Sequence, residues 1–159
     1  MTLAFLVCGP PGLIVVYLPA WMTRWQAPQE SWGWRILAIV LIAVGLLPLG
    51  ESIGRFVRVG RGTLSPTHPT EKLVVSGFYR HVRNPMYVGV LLLIAGQAVL
   101  FWSSALWAYV GYVAVGFHLF VLVYEEPTLR EKYGEDYDEF CRNVRRWVPR
   151  LRPWRVEGR

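Results

Sequence analysis

The run MYVGVLLLIAGQAVLFWSSALWAYVGYVAVGFHLFVLVY, residues 86–124, decides the fold: 39 consecutive residues carry no formal charge. As one helix it would reach roughly 58 Å at about 1.5 Å per residue. A bilayer core is only about 30 Å thick, so the run has to fold back on itself. Ser103-Ser104, flanked by Trp102 and Trp107, is the natural turning point. Two further apolar stretches precede it. The sequence therefore predicts one all-α integral membrane domain with four transmembrane helices, at about 3–21, 36–53, 85–102 and 105–124. A loop over 54–84 and a C-terminal amphipathic helix and tail over 125–159 complete it.

Composition agrees with a membrane class. The chain is 53% hydrophobic with mean hydropathy +0.30, more apolar surface than a soluble domain of 159 residues readily buries. Pro10-Pro11-Gly12 would kink the first span, which a membrane helix tolerates when neighbours satisfy the freed backbone groups. That span lacks a positive leader and a small-residue cleavage site, so it reads as a span and not as a signal peptide. Cys8 and Cys141 make no disulfide framework, and neither has a nearby His or Asp to make it a nucleophile.

Charge sets the orientation. The first inter-span loop carries only Arg24 and Arg35, whereas the second carries Arg55, Arg58, Arg61, Lys72, Arg80 and Arg83, and the tail holds the rest. Lys and Arg favour the cytoplasmic side, which places the long loop and both termini there. Trp21, Trp25, Trp32, Trp34, Trp102 and Trp107 then form an aromatic belt at the opposite face. The net charge of +6 reads as this positive-inside bias plus attraction to anionic lipid headgroups, with no nucleic acid partner.

Local signals place the polar residues. The Gly60–Val75 stretch is rich in Gly, Pro and Thr and reads as an irregular loop. Pro85 suits a first helical turn, with Asn84 as its cap. Leu129, Tyr133, Tyr137 and Phe140 recur at spacings of three to four, the pattern of a surface helix beginning after Pro127. Tyr87 follows Arg83 by four residues, so both share one helix face. They either anchor a helix end at the headgroups or line a site. His118 and Glu125 are seven apart, two helical turns, and also share a face. Glu126 points about 100° away from Glu125. Glu51 is expected to pair with Arg55 one turn on, and Gly89 and Gly96 to allow close helix packing.

These motifs together resemble a family. Arg-Asn-Pro-Met-Tyr-Val-Gly at 83–89, Glu-Glu-Pro-Thr-Leu at 125–129, Tyr-Gly-Glu-Asp-Tyr at 133–137 and Arg-Trp-Val-Pro-Arg at 146–150 are similar to the isoprenylcysteine carboxyl methyltransferase and phospholipid methyltransferase group of membrane enzymes. The likeness covers about Gly60 to Arg150; Gly-Phe-Tyr-Arg at 77–80 and Asn84 in place of the family's His look like its bacterial members. It implies an enzyme of the bacterial inner membrane that uses S-adenosylmethionine and a lipidic acceptor, either a carboxylate or an amine. It implies a donor site of Arg83, Asn84, Pro85, Tyr87, His118, Glu125 and Glu126, and no metal. Where eukaryotic members carry an Arg-Val-Pro element for the substrate carboxylate, this chain reads Asn143-Val144-Arg145, with Arg142, Arg145 or Arg146 to supply the positive charge, Arg145 and Arg146 being taken as the catalytic-side cations. The competing readings are a membrane reductase of related architecture using reduced nicotinamide, and a non-catalytic membrane protein whose polar residues only brace helix ends.

Overall fold

The computed structural model describes residues 12–24, 32–59 and 75–154, the side chains of 55–59 excepted. It is helical, with no strand among the described residues. We label the helices α1 Leu13–Thr23, α2 Trp32–Val59, α3 Pro85–Leu100, α4 Ser104–Phe120, α5 Glu126–Tyr133 and α6 Glu135–Asn143. A 3-10 turn at Gly77–Arg80 leads into α3, and a π turn at Val121–Glu125 joins α4 to α5. Two helices are long and apolar enough to cross a membrane: Trp32–Gly54 within α2, and the continuous Ser104–Tyr133. α1 and α3 are apolar but shorter.

Boundaries shift from the sequence expectation for identifiable reasons. The helix expected over 36–53 runs on at both ends, so the polar loop expected from 54 begins helical. The third helix stops at Leu100, because Phe101 and Trp102 form the turn, with Trp102 at φ 48°. The Ser103 hydroxyl then accepts from Leu106 N–H at 3.3 Å, capping α4. Pro127 does not end the apolar helix; Gly134, at φ 52°, is where α5 gives way to α6. Pro127 has no N–H for the ladder and its ring crowds the preceding turn. The wider π turn immediately before it absorbs both defects. The first part of the first span (3–11) and the loop 60–74 lie outside the described residues.

The same device recurs in α1, whose residues Leu13–Tyr17 form a π turn just before Pro19. Pro19 cannot donate to the carbonyls a turn earlier. The Tyr109 hydroxyl donates to Ile14 O at 3.0 Å and the Gln97 amide to Val15 O at 2.9 Å, so α4 and α3 supply the missing donors. In an apolar medium such carbonyls need partners, and this tethers α1 to the bundle.

The tightest packing is between α2 and α3, where two glycines face each other. A Cβ on Gly89 would lie 2.7 Å from Gly45 O, and one on Gly45 would lie 2.8 Å from Gly89 O. Backbone cannot yield to such a contact, so the crossing requires both glycines. The exposed Trp21, Trp32, Trp34, Trp102 and Trp107 gather at helix ends around the α3–α4 turn, with the Trp34 and Trp102 rings 5.1 Å apart edge to face. Gly89→Ala is expected to lower the thermal midpoint in detergent by the equivalent of about 1–3 kcal/mol. Gly50→Ala, with open space around its Cβ, should be neutral or slightly stabilising under the same scan.

Candidate active site

Three pieces of chain meet at the end of the bundle that carries the basic residues. They are the lead-in to α3, the α4–α5 junction, and the segment after α6, which we call the strap. The strap runs antiparallel to the lead-in. Arg83 N–H donates to Arg145 O, Arg150 N–H to His81 O, and Trp154 N–H to Arg80 O, each at 2.9 Å. Side chains reinforce it: Arg80 Nε donates to Trp154 O at 2.7 Å, and His81 Nδ1 pairs with Arg150 O at 2.8 Å. α6 packs beneath through buried Tyr137, Phe140 and Val144, with Trp154 against them.

Glu126 joins all three pieces. Arg146 forks onto it, Nε to Oε1 at 2.6 Å and Nη2 to Oε2 at 3.0 Å. Arg83 Nη1 reaches Oε1 at 3.1 Å. The carboxylate is only 8% exposed. Burial pushes its pKa up, but the Arg146 hydrogen bonds and the Arg83 and Arg146 charges outweigh that and hold it below the usual carboxylate value. Arg146 is raised in turn by its bond to Glu126. Arg83 Nη1 also contacts Cys141 Sγ at 2.8 Å, while Arg83 Nε is buried with no partner among the described residues.

The adjacent glutamate faces elsewhere. Tyr87 donates its hydroxyl to Glu125 Oε2 at 3.0 Å. The Tyr87 ring lies 4.6 Å from Phe117 and 6.5 Å from Trp147. Trp147 Nε1 donates to His118 Nδ1 at 3.1 Å. Tyr87, Phe117, His118 and Trp147 thus form one cluster of rings, which we call the mouth, with the Glu125 carboxylate at its edge.

The residues expected from the sequence thus converge, but with a division of labour. Arg83, Glu126 and Arg146 form a buried brace, and Tyr87, Glu125 and His118 line the mouth. Asn84 stands at the cap position of α3 without a side-chain cap bond; its amide donates instead to Arg146 O at 3.3 Å. Pro85 is fully buried in the first turn of α3. The Arg145 side chain is exposed, and its carbonyl holds Arg83 N–H. Glu51 accepts from Phe78 N–H at 3.0 Å, tying α2 to the lead-in; the expected Arg55 partner has its side chain outside the described residues. Trp147 and Phe117 were not singled out by sequence reasoning, and Cys141 was set aside there. Trp147 lies in the Arg-Trp-Val-Pro-Arg stretch, where an aromatic ring amid arginines was the available signal. Nothing in the spacing could have joined Cys141 to Arg83, 58 residues away.

Known proteins resemble this chain as follows. A family model described as phospholipid methyltransferase matches residues 34–136. Protein-S-isoprenylcysteine O-methyltransferase B of Arabidopsis thaliana is 24% identical over 137 residues, covering 85% of this chain and 66% of that protein. A probable protein-S-isoprenylcysteine O-methyltransferase of Oryza sativa subsp. japonica is 25% identical over 130 residues, covering 76% and 64%. The chain therefore spans slightly under two thirds of the length of these relatives. No solved structure matches it.

The brace makes a stability prediction. Glu126→Gln leaves two guanidiniums without their anion, one of them buried, and is expected to cost about 3–5 kcal/mol, read as a fall in thermal midpoint and faster proteolysis of the strap. Arg130→Ala breaks only the exposed Arg130–Asp138 pair and should cost less than about 1 kcal/mol. Because the Glu126 pKa is depressed, its stabilisation is present above the unfolded-state carboxylate value. It is lost only as pH falls through the lower folded value, so the difference between wild type and Glu126→Gln should shrink on acidification.

Proposed function

The chain belongs to the phospholipid methyltransferase family, and on that premise we propose that it transfers a methyl group from S-adenosylmethionine to a lipidic acceptor at the cytoplasmic face of the membrane. The observation that carries this reading is the mouth itself, where Tyr87, Glu125, His118 and Trp147 converge from α3, the α4–α5 junction and the strap. The donor carries a sulfonium, an adenosine, an ammonium and a carboxylate, and the groups present suit those chemistries. Aromatic rings accept a sulfonium and stack on a purine. Glu125 accepts from ribose hydroxyls or the ammonium. The orphaned, buried Arg83 Nε is a donor with spare capacity for a carboxylate.

The bound donor supplies an electrophilic methyl carbon. The chain's contribution is to hold the partners in line and exclude water. The strap, fixed by the Glu126 brace, presses Trp147 over the mouth and dries it. Arg145, exposed beside the bond that pins Arg83, is the cation left for an anionic acceptor, since Arg146 is committed to Glu126. The acceptor class follows from the names of the relatives and of the family: a prenylcysteine-like carboxylate or a phospholipid-like amine.

The membrane setting is part of the proposal. We read α1 to α4 as four spans, with α5, α6 and the strap on the surface and both termini cytoplasmic, because the basic residues lie at the end opposite the exposed tryptophans. The Arg-Asn-Pro motif supports the inner membrane of a bacterium as its location.

Calorimetric titration of the detergent-solubilised protein with S-adenosylhomocysteine is expected to show saturable binding. Glu125→Ala should weaken it at least tenfold while the thermal midpoint changes little. Binding of reduced nicotinamide in its place would shift the reading to a reductase, and binding of neither ligand by folded protein would leave a non-catalytic brace.

A further inference from the structure

The one histidine at the mouth has its tautomer set by a residue outside the donor motifs. An indole N–H only donates, so the 3.1 Å contact from Trp147 Nε1 makes His118 Nδ1 an acceptor. A neutral imidazole then carries its proton on Nε2. No partner for Nε2 is present among the described residues. The two neighbouring carboxylates accept hydrogen bonds of their own. Glu125 already accepts the Tyr87 hydroxyl, and Glu126 sits between two guanidiniums that make it a poor proton acceptor.

We propose that Trp147 is a positioning residue: by occupying the Nδ1 lone pair of His118 it presents Nε2–H to the mouth as a hydrogen-bond donor, so His118 orients an anionic acceptor oxygen and does not act as a base. The proposal rests on the methyltransferase reading and narrows its acceptor to a group that is already anionic, a carboxylate on a lipid-like molecule. The step balances without a proton. A carboxylate oxygen forms a bond to the methyl carbon, the carbon–sulfur bond breaks, and its electron pair stays on sulfur, which leaves as a neutral thioether. A primary amine acceptor would instead release a proton, which His118, with Nδ1 occupied and Nε2 protonated, is not placed to take. Arg145 supplies the compensating positive charge, and Nε2–H the direction.

Two measurements test this, one of them independent of turnover. In ¹⁵N spectra of histidine-labelled protein, with His118→Gln used to assign the signal, His118 is expected as the Nε2–H tautomer. In Trp147→Phe, which keeps a ring but loses the N–H, the signal should move to a mixture of tautomers. In the assay, wild type is offered N-acetyl-S-farnesylcysteine, whose carboxylate is free, and vesicles of dioleoylphosphatidylethanolamine, whose amine is free. Transfer is expected to the first only. Trp147→Phe should lower kcat about tenfold, the worth of one directed hydrogen bond, with the KM for the donor unchanged. His118→Gln, which can accept from the indole and donate to the mouth but cannot serve as a base, should keep most of the rate, whereas His118→Ala should not.

A wild-type Nδ1–H tautomer, a fully active Trp147→Phe, an inactive His118→Gln that still binds S-adenosylhomocysteine, or transfer to the amine alone would each overturn the proposal while leaving the methyltransferase reading intact. Failure of the wild type to bind S-adenosylhomocysteine would overturn that reading, and this proposal with it.

Discussion

The buried carboxylate of Glu126 is the interaction on which the rest of this end of the molecule depends. It is held by Arg146 from the strap and Arg83 from the lead-in to α3, while its own backbone begins α5. Remove it and three segments lose their common anchor. The strap then keeps its bonds to the lead-in, the Trp147–His118 contact and the packing of α6. A buried ion pair is seldom a net gain over a well-packed apolar contact. What it offers is specificity of arrangement. An Arg146 fork and a single Arg83 contact converging on one carboxylate leave few alternative registers for the strap, and Trp147 follows Arg146 by one residue. The position of the indole over His118 is therefore set by the ion pair beside it.

Backbone defects do comparable work within the bundle. Each π turn precedes a proline, and each is found where a helix has to continue past a missing N–H. In α1 the cost is met by Gln97 and Tyr109, which reach across from other helices. At the α4–α5 junction the wide turn carries the helix beyond Tyr124, so that two carboxylates follow the apolar run without a break in the rod. A helix that stopped at Pro127 would leave Glu126 on a loop, where its geometry toward two arginines would be much less constrained. The proline that looks like a terminator in the sequence thus sits inside the feature that fixes the site.

Much of this was legible in the residues because the strongest signals are local. An uncharged run too long for one crossing, a Ser-Ser pair between tryptophans, and a steep asymmetry of arginines are facts of composition and order. Pairings across long separations left no such trace. Spacing put Arg83 and Tyr87 on one helix face, but Arg83 precedes α3, and their partners, Glu126 and Glu125, lie 43 and 38 residues away. The resemblance assigned Arg83 and Arg146 to ligands, whereas in the fold both meet the one carboxylate of Glu126. The cap expected at Asn84 failed for the same reason: a local hydrogen bond lost to a tertiary one with the Arg146 carbonyl. The break expected between the span ending at 124 and the helix after Pro127 is absent because a π turn is invisible to a 3.6-residue periodicity.

The adjacent glutamates show why brace and mouth have to be distinguished. A single residue step turns the side chain by about 100° on a helix. That step separates a carboxylate locked between two cations from one that meets only a tyrosine hydroxyl among aromatic rings. Charge is costly near hydrocarbon, and the two sites answer that cost differently. Glu126 is neutralised from within the protein by Arg146 and Arg83. Glu125 has no cation paired with it among the described residues, so the compensation left to it is a positive group brought by a ligand. A sulfonium-bearing donor with an ammonium tail is such a ligand. Under the proposed function, the asymmetry between the two carboxylates, more than the presence of either, is the physical reason the Tyr87–Glu125 side of the junction suits the chemistry.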